Sequence, residues 1–293
     1  MTEPRLHDVQ CLAPEGLHRM AYWEWGDAQN PRVLVCVHGL SRQGRDFDTL
    51  ARALCDTYRV VCPDVVGRGR SDRLRQPLSY AIPQYVADMV TLLARLDARE
   101  LHWVGTSMGG LIGLGLAALP DSPVRRLVLN DVGPVIEWAA LERIRGYLGV
   151  AKHWDTLDEA ADALWEISQG FGPHTREEWL ALTRPMLVPD TVQGTGFRPH
   201  YDLAIAAPFR ALTPELAAAG EAQLWQAWDA VRCPTLVLRG AESDLLTPAT
   251  AAAMAQRGPR ARVHEFAGVG HAPMLVKPEQ VAVVRAFLLE ASP

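Results

Sequence analysis

Three segments of the chain carry side chains that together could perform nucleophilic catalysis. The first, from Gly105 to Gly109, reads Gly-Thr-Ser-Met-Gly and places Ser107 between two glycines. The second has His271 in a glycine-rich stretch, and the third has Asp244 shortly after an apolar run. A serine hydroxyl is a weak nucleophile until a base takes its proton, and an imidazole base needs a carboxylate to fix its tautomer. We therefore predict a catalytic triad with Ser107 as nucleophile, His271 as base and Asp244 as acid.

The setting of Ser107 strengthens this prediction. The pattern G-x-S-x-G follows the apolar run Leu101 to Val104 and precedes a helical pattern from Met108 to Leu119. A nucleophile elbow is such a strand–turn–helix junction, and small residues must flank its strained serine. The helix N-terminus also directs backbone N–H groups at a developing oxyanion. We predict that the backbone N–H of Met108 forms one half of an oxyanion hole.

The second oxyanion donor is expected in the loop after an earlier apolar run that ends in His38-Gly39. We assign it to the backbone N–H of Leu40. His38 lies upstream of the serine, and we interpret it as a packing and hydrogen-bonding residue beneath this loop rather than as the base.

The elements around these residues alternate between short apolar strands and longer helical patterns. Continuous apolar strands are typical of a parallel sheet covered on both faces, and their alternation with helices indicates a doubly wound α/β fold. Val9 to Leu12 and His18 to Trp25 predict an antiparallel hairpin at the sheet edge. The predicted buried strands are Arg32–Val37, Arg59–Cys62, Leu101–Val104, Arg126–Leu129 and Thr235–Leu238. Ala261–Phe266 is predicted as a further strand with a more alternating pattern. The predicted helices are Phe47–Cys55, Pro83–Leu96, Met108–Leu119, Pro248–Gln256 and Pro278–Leu289.

The stretch from about residue 133 to residue 212 interrupts this alternation, because it shows helical patterns and no convincing buried strand. We predict a helical cap at 133–212, inserted into a core formed by residues 1–132 and 213–293. Trp138 and Arg184 lie in this cap and are candidates for substrate binding. Each also has a simpler interpretation, since cap tryptophans can merely pack against the core and an arginine can be a solvated surface residue.

These motifs and their order resemble the α/β-hydrolase superfamily, in the capped branch that includes proline-iminopeptidase-like, lactonase-like and cofactor-free haloperoxidase-like proteins. The resemblance covers nearly the whole chain outside the cap. It implies an α/β-hydrolase fold with about eight mostly parallel strands, helices on both faces and an inserted helical cap. The segment from Asp64 to Ser71 corresponds to a structural turn in this family. Ser107 excludes haloalkane dehalogenase chemistry, which uses an aspartate at the elbow.

Besides Asp244, two other residues are candidates for the acid of the triad: Asp131 and Glu242. Glu242 lies closer to its turn, so we rank it lower. Asp131 follows the strand Arg126–Leu129 but precedes the Val-Gly-Pro hinge of the cap, where a carboxylate can cap exposed backbone N–H groups. Asp244 gives the family's chain order of serine, acid and histidine, and it follows the strand adjacent to the one before His271. These two arguments favour Asp244.

Composition narrows the remaining function classes. The net charge of −5 argues against general affinity for nucleic acid or for an anionic membrane surface. We expect no membrane span, since no run of about 18 apolar residues occurs, and no zinc site, since the nine histidines are scattered. Neither signal-peptide features nor cysteine pairs with C-x-x-C spacing are present, which favours the cytoplasm.

We predict a serine hydrolase that cleaves a carboxylic ester or lactone of a small molecule through an acyl-enzyme and needs no cofactor. The same triad could also hydrolyse a carbon–carbon bond or run perhydrolysis. The carbon–carbon bond hydrolases often have tryptophan after the catalytic histidine, whereas this chain has Ala272. A ligand-binding α/β-hydrolase scaffold without catalysis is a further alternative, because a fold does not fix a function. The sequence carries no signal for an oligomeric state.

Overall fold

The computed structural model describes residues 3–291, and its centre is one eight-stranded sheet. Its strands are β1 (Arg5–Ala13), β2 (Gly16–Trp25), β3 (Arg32–Val37), β4 (Arg59–Pro63), β5 (Glu100–Thr106), β6 (Val124–Asn130), β9 (Thr235–Gly240) and β10 (Arg262–Phe266). Their order across the sheet is β1-β2-β4-β3-β5-β6-β9-β10. β1 pairs antiparallel with β2, and β2 pairs antiparallel with β4, whereas all the other neighbours in this sheet are parallel.

The predicted strands and the edge hairpin are confirmed, and the reason is visible in β3. Its residues alternate between two hydrophobic clusters: Val33, Val35 and Val37 belong to one cluster, and Leu34 and Cys36 to the other. Both faces of the strand are buried, so the sequence is apolar throughout instead of alternating with polar residues. A sheet with this pattern requires helices on both sides.

The helices cover the sheet and fill the long segment between β6 and β9. Outside that segment they are α1 (Asp48–Leu54), α2 (Ile82–Leu96), α3 (Met108–Ala117), α9 (Pro248–Gln256) and α10 (Pro278–Leu289). Between β6 and β9 they are α4 (Trp138–Tyr147), α5 (Leu157–Glu166), α6 (Arg176–Thr183), α7 (Ala207–Ala211) and α8 (Pro214–Ala230). Short 3-10 turns occupy Gly44–Phe47, Pro77–Ser79, Gln169–Phe171, Arg184–Met186 and Leu203–Ala206.

The segment between β6 and β9 also contains a small antiparallel ribbon that the sequence did not predict. It consists of β7 (Leu187–Pro189) and β8 (Phe197–Pro199). Each strand has three residues and ends in a proline, so neither offers the alternation by which a strand is recognised. The division into a core and a cap at residues 133–212 stays a prediction.

Among residues 3–291, no helix has the length and apolar character needed to cross a bilayer.

Candidate active site

Ser107 forms a sharp turn between β5 and α3. Its backbone has φ 52° and ψ −117°, a conformation that is costly for a residue with a side chain. The turn is held by neighbours, since the Ser107 N–H donates to Asn130 O at 2.9 Å and the Ser107 carbonyl accepts from the Gly110 N–H at 2.8 Å. This geometry matches the predicted elbow.

Close backbone packing explains the glycines of the elbow. A Cβ on Gly105 would overlap the carbonyl of Gly109, and a Cβ on Gly109 would overlap the carbonyl of Val37 on β3. The helix that begins at Met108 can therefore approach the sheet only where side chains are missing. The spacing G-x-S-x-G follows from this steric constraint.

The structure joins Ser107, His271 and Asp131 by hydrogen bonds. His271 Nε2 lies 3.0 Å from Ser107 Oγ, and His271 Nδ1 lies 2.7 Å from Asp131 Oδ2. Asp131 is fully buried, and His271 is mostly buried. A neutral imidazole with its proton on Nδ1, donated to the carboxylate, leaves Nε2 free to accept the serine proton. The contact between Ser107 and His271 is the one that the sequence predicted.

The expectation that Asp244 would orient His271 is wrong. Asp244 is about half exposed and forms an ion pair with Arg143 of α4, with distances of 2.8 and 3.0 Å. The loop after β9 turns through a Ser243 N–H to Gly240 carbonyl hydrogen bond, and this turn directs Asp244 outward. Glu242 is also exposed. Asp131, the reserve candidate, occupies the position next to the imidazole.

Ser243 supplies a contact that sequence reasoning missed. Its hydroxyl donates to Asp131 Oδ2 at 2.6 Å, the oxygen that also faces His271. The Gly240 N–H donates to Asp131 Oδ1 at 2.9 Å. The carboxylate therefore accepts three hydrogen bonds, which hold its plane and compensate for burying its charge. A serine in the turn after a strand carries no distinctive sequence signal for this position.

The Leu40 loop lies against the N-terminus of α3, where the oxyanion hole was predicted. Among residues 3–291, the N–H groups of Leu40 and Met108 have no protein acceptor, so both are free to bind an oxyanion. Arg68 Nε donates to the Leu40 carbonyl at 2.9 Å, and its guanidinium lies 3.6 Å from the Met108 sulfur. Arg68 is buried, and through these two contacts it helps to hold the predicted donor residues Leu40 and Met108 in place.

His38 supports the same loop, as the sequence predicted. Its Nδ1 donates to the Gly39 carbonyl at 2.7 Å, and its Nε2 accepts from the Val65 N–H at 3.0 Å. Burial lowers the pKa of His38 well below its usual value, so the ring stays neutral and keeps both bonds. The turn from Asp64 is structural as well: Asp64 accepts from the N–H groups of Gly44 and Arg70, and burial raises its pKa to about 6.

Two cavities meet at Ser107. The larger, of about 520 Å³, is lined mainly by apolar residues of α2, α3, α4 and α8, among them Leu111 and Leu224. Trp138, predicted as a substrate-binding residue, lines this cavity. Its charged lining residues are Glu137 and Glu221.

The smaller cavity, of about 100 Å³, is more polar and contains His271. Its lining includes Arg42, Asp46 and Arg143. Arg184, the other predicted substrate-binding residue, is exposed and lines neither of these cavities, so the structure does not bring it to the site. Arg143 of α4 is the residue between β6 and β9 that brings a guanidinium to the site.

Within residues 3–291, one group of potential metal ligands lies at the sheet edge. Single ligand atoms of Cys11, His18 and Asp88 lie within 4.8 Å of one another, and all three residues are buried. His18 Nε2 hydrogen-bonds Asp88 Oδ2 at 3.0 Å, and Gln84 donates to Asp88 Oδ1 at 2.7 Å. These bonds account for the cluster as a polar contact between the β1–β2 hairpin and α2.

A family model described as alpha/beta hydrolase family matches residues 34–284, which includes all the residues of the site. The chain belongs to this family. Among solved structures, this α/β hydrolase is similar to a putative hydrolase from Rickettsia typhi, with a TM-score of 0.88, 29% identity and coverage of 99% of this chain and 100% of that one. It is also similar to an α/β hydrolase from Novosphingobium aromaticivorans, with a TM-score of 0.85, 36% identity and coverage of 98% and 99%.

A curated relative has higher sequence identity. The 3-hydroxybutyrate-oligomer hydrolase of Cupriavidus necator is 56% identical over 291 residues, which cover 98% of this chain and 99% of that protein. These matches confirm the predicted superfamily and fold. They also confirm the prediction that this α/β hydrolase is an ester-cleaving enzyme of the serine hydrolase class.

The hydroxyl of Ser243 should affect catalysis indirectly, because it hydrogen-bonds Asp131, which orients His271 and stabilises its imidazolium. In Ser243→Ala the carboxylate loses one of its donors, so its charge acts more strongly on the imidazolium and its plane is less fixed. We expect kcat to fall roughly 10-fold, in line with the loss of one hydrogen bond to a charged group, and the acidic limb of the pH–rate profile to move to higher pH. Steady-state kinetics on a p-nitrophenyl ester across pH would measure both.

Ser243→Thr is the matched control, because it keeps the hydroxyl and should keep the wild-type pH profile. A Ser243→Ala enzyme that loses rate equally at every pH, or not at all, would show that this hydroxyl serves only the loop.

Proposed function

We propose that this protein hydrolyses the ester bonds of short oligomers of a hydroxyalkanoic acid such as 3-hydroxybutyrate, with Ser107, His271 and Asp131 as the catalytic triad. The observation that carries the proposal is the chain of hydrogen bonds from Ser107 Oγ through His271 to Asp131, at the point where two cavities meet. The substrate class is supported by the 56% identical relative over nearly the full length of both proteins.

In the acylation step, Ser107 Oγ attacks the carbonyl carbon of the ester while His271 Nε2 takes the hydroxyl proton. The carbonyl oxygen becomes an oxyanion, which the free N–H groups of Leu40 and Met108 would bind. The C–O bond to the alcohol then breaks, and His271 returns its proton to the leaving alkoxide. Asp131 stays ionised and stabilises the imidazolium.

Deacylation repeats these roles with water. His271 takes a proton from water, the hydroxide oxygen attacks the acyl carbon, and the bond to Ser107 Oγ breaks. The serine oxygen regains its proton from His271, and the carboxylic acid product leaves as its anion. Every atom and proton is supplied by enzyme, ester and water, so this route involves no cofactor.

The shape of the site fits an ester of this kind. A hydroxyalkanoate oligomer has alkyl groups between its ester groups and no charge except at its carboxyl end. The larger cavity is lined mainly by aliphatic and aromatic side chains, which suit such a chain. An acyl group of several units can therefore lie in it while one ester carbonyl rests at Ser107.

Turnover of defined oligomers tests the substrate class. Incubation of the purified protein with the dimer and trimer of 3-hydroxybutyrate should release monomer, with kcat/KM higher than for p-nitrophenyl acetate because the acyl chain fills the larger cavity. Product analysis by chromatography would measure the release. Hydrolysis of the p-nitrophenyl ester without turnover of either oligomer would contradict the substrate class and leave the serine hydrolase assignment in place.

The core and cap division at residues 133–212 and a cytoplasmic location complete the proposal. The first is supported by the helical segment between β6 and β9, and the second by the sequence features given above.

A further inference from the structure

The two cavities lie on different sides of the reacting bond. Both are lined by Ser107 and Leu40, but His271 lines only the smaller one. The imidazole must give its proton to the leaving oxygen, so the leaving alcohol lies on the side of His271. The acyl part of the ester then extends into the larger cavity.

This geometry orients an oligomer of hydroxy acids, because such a chain has two different ends. On the acyl side of any ester bond the chain runs to the free hydroxyl end, and on the alcohol side it runs to the free carboxylate. The hydroxyl end would therefore lie in the larger cavity and the carboxylate in or beyond the smaller one.

The charges of the cavities agree with this direction. The larger cavity has two acidic lining residues, Glu137 and Glu221, which would repel a carboxylate. The smaller one has two arginines. Arg42 is buried and held by both oxygens of the buried Asp46, at 2.6 and 2.7 Å, so its charge is already compensated.

Arg143 is different, because its partner can be exchanged. Its side chain is 42% exposed and that of Asp244 is 49% exposed. An exposed ion pair contributes little to stability, since water screens both charges. A second carboxylate that enters the smaller cavity can displace Asp244 from the guanidinium at little cost and form the same paired hydrogen bonds.

We propose that Arg143 binds the terminal carboxylate of the substrate, so that the enzyme removes units one at a time from the carboxyl end of the oligomer. This inference rests on the proposed function and adds a direction and a product to it. A cavity of about 100 Å³ holds about three water molecules at the roughly 30 Å³ that each occupies in the liquid, so it has room for no more than a single short hydroxy acid. The larger cavity holds the remainder as the acyl group.

An end-labelled trimer of 3-hydroxybutyrate tests the direction. With the label in the carboxyl-terminal unit, the first products should be labelled monomer and unlabelled dimer. Methyl esterification of the terminal carboxylate should lower kcat/KM roughly 10- to 100-fold, the effect expected when a charged hydrogen-bonded contact is lost. Acetylation of the hydroxyl end should change kcat/KM far less.

Arg143→Gln should bring the ratio of kcat/KM for the free acid to kcat/KM for the methyl ester close to one. Arg184→Gln is the matched control: it also removes an arginine between β6 and β9, but one outside both cavities, and it should keep the wild-type ratio. Labelled dimer as the first product, or equal wild-type hydrolysis of free acid and methyl ester, would overturn the inference. Failure to hydrolyse any oligomer would instead refute the proposed function.

Discussion

Replacement of Ser107 by alanine should abolish ester hydrolysis and covalent labelling by a fluorophosphonate probe. The reason is chemical and local: Ser107 Oγ is the atom 3.0 Å from His271 Nε2, and its turn is stabilised by the packing of two glycines. We expect a loss in kcat of roughly 10⁶-fold, the magnitude known for serine proteases that lose their nucleophile. Assays on p-nitrophenyl acetate and gel fluorescence after probe labelling would measure the two effects.

Ser168→Ala is the control for this experiment, because Ser168 also lines the smaller cavity and is buried. It lacks an elbow, so its replacement should leave the labelling intact. Labelling that persists in Ser107→Ala would place the nucleophile elsewhere.

Replacement of Asp131 by asparagine should cost roughly 10⁴-fold in kcat, the loss seen when a triad aspartate is replaced in this way in a serine protease. An asparagine in the same place can present its amide N–H to the imidazole and thereby favour the wrong tautomer. The loss corresponds to about 5 kcal/mol of transition-state stabilisation. Kinetics on p-nitrophenyl acetate would measure it, and thermal unfolding would report whether the buried contacts of the carboxylate also support the fold.

The matched variant is Asp244→Asn. It removes a carboxylate from an exposed ion pair, which is worth about 0–1 kcal/mol, and should change kcat on the same ester less than about five-fold. If Asp244→Asn were the inactive variant and Asp131→Asn the active one, Asp244 would have to reach His271 in a conformation different from the one described.

The sequence could not decide whether Asp131 or Asp244 is the carboxylate next to His271. Chain order could not discriminate between them, because both lie between Ser107 and His271. Strand adjacency could not do so either: β6 and β9 are neighbours, and both lie between the strands that precede Ser107 and His271. The decision depends on how the loop after β9 turns, and a turn of a few residues is set by hydrogen bonds that no spacing rule encodes.

The sheet and its helices were predictable because burial imposes a pattern on every residue of an element. The sharp turn at Ser107 was predictable for a related reason, since its glycines are required by backbone contact. Arg143 was not, because an arginine on a helix is the ordinary residue of a solvated surface and nothing in its spacing indicates a cavity. Trp138 was predicted as a substrate-binding candidate because it lies in the cap, but its position on the larger cavity depends on how α4 packs.

The contact between Ser243 and Asp131 has a consequence for how such enzymes diverge. The loops after β6 and β9 each place a side chain in the same region beside the imidazole, with 2.6 Å between Ser243 Oγ and Asp131 Oδ2. A carboxylate at position 243 would stand beside the existing one, and two such groups at this distance share a proton and keep a single negative charge. Two successive substitutions, a carboxylate gained at position 243 and then the loss of Asp131, would therefore move the triad acid from the loop after β6 to the loop after β9. The site would keep a carboxylate beside the imidazole at each step. Related enzymes can thus keep the same reaction although the acid of the triad occupies different positions in their sequences.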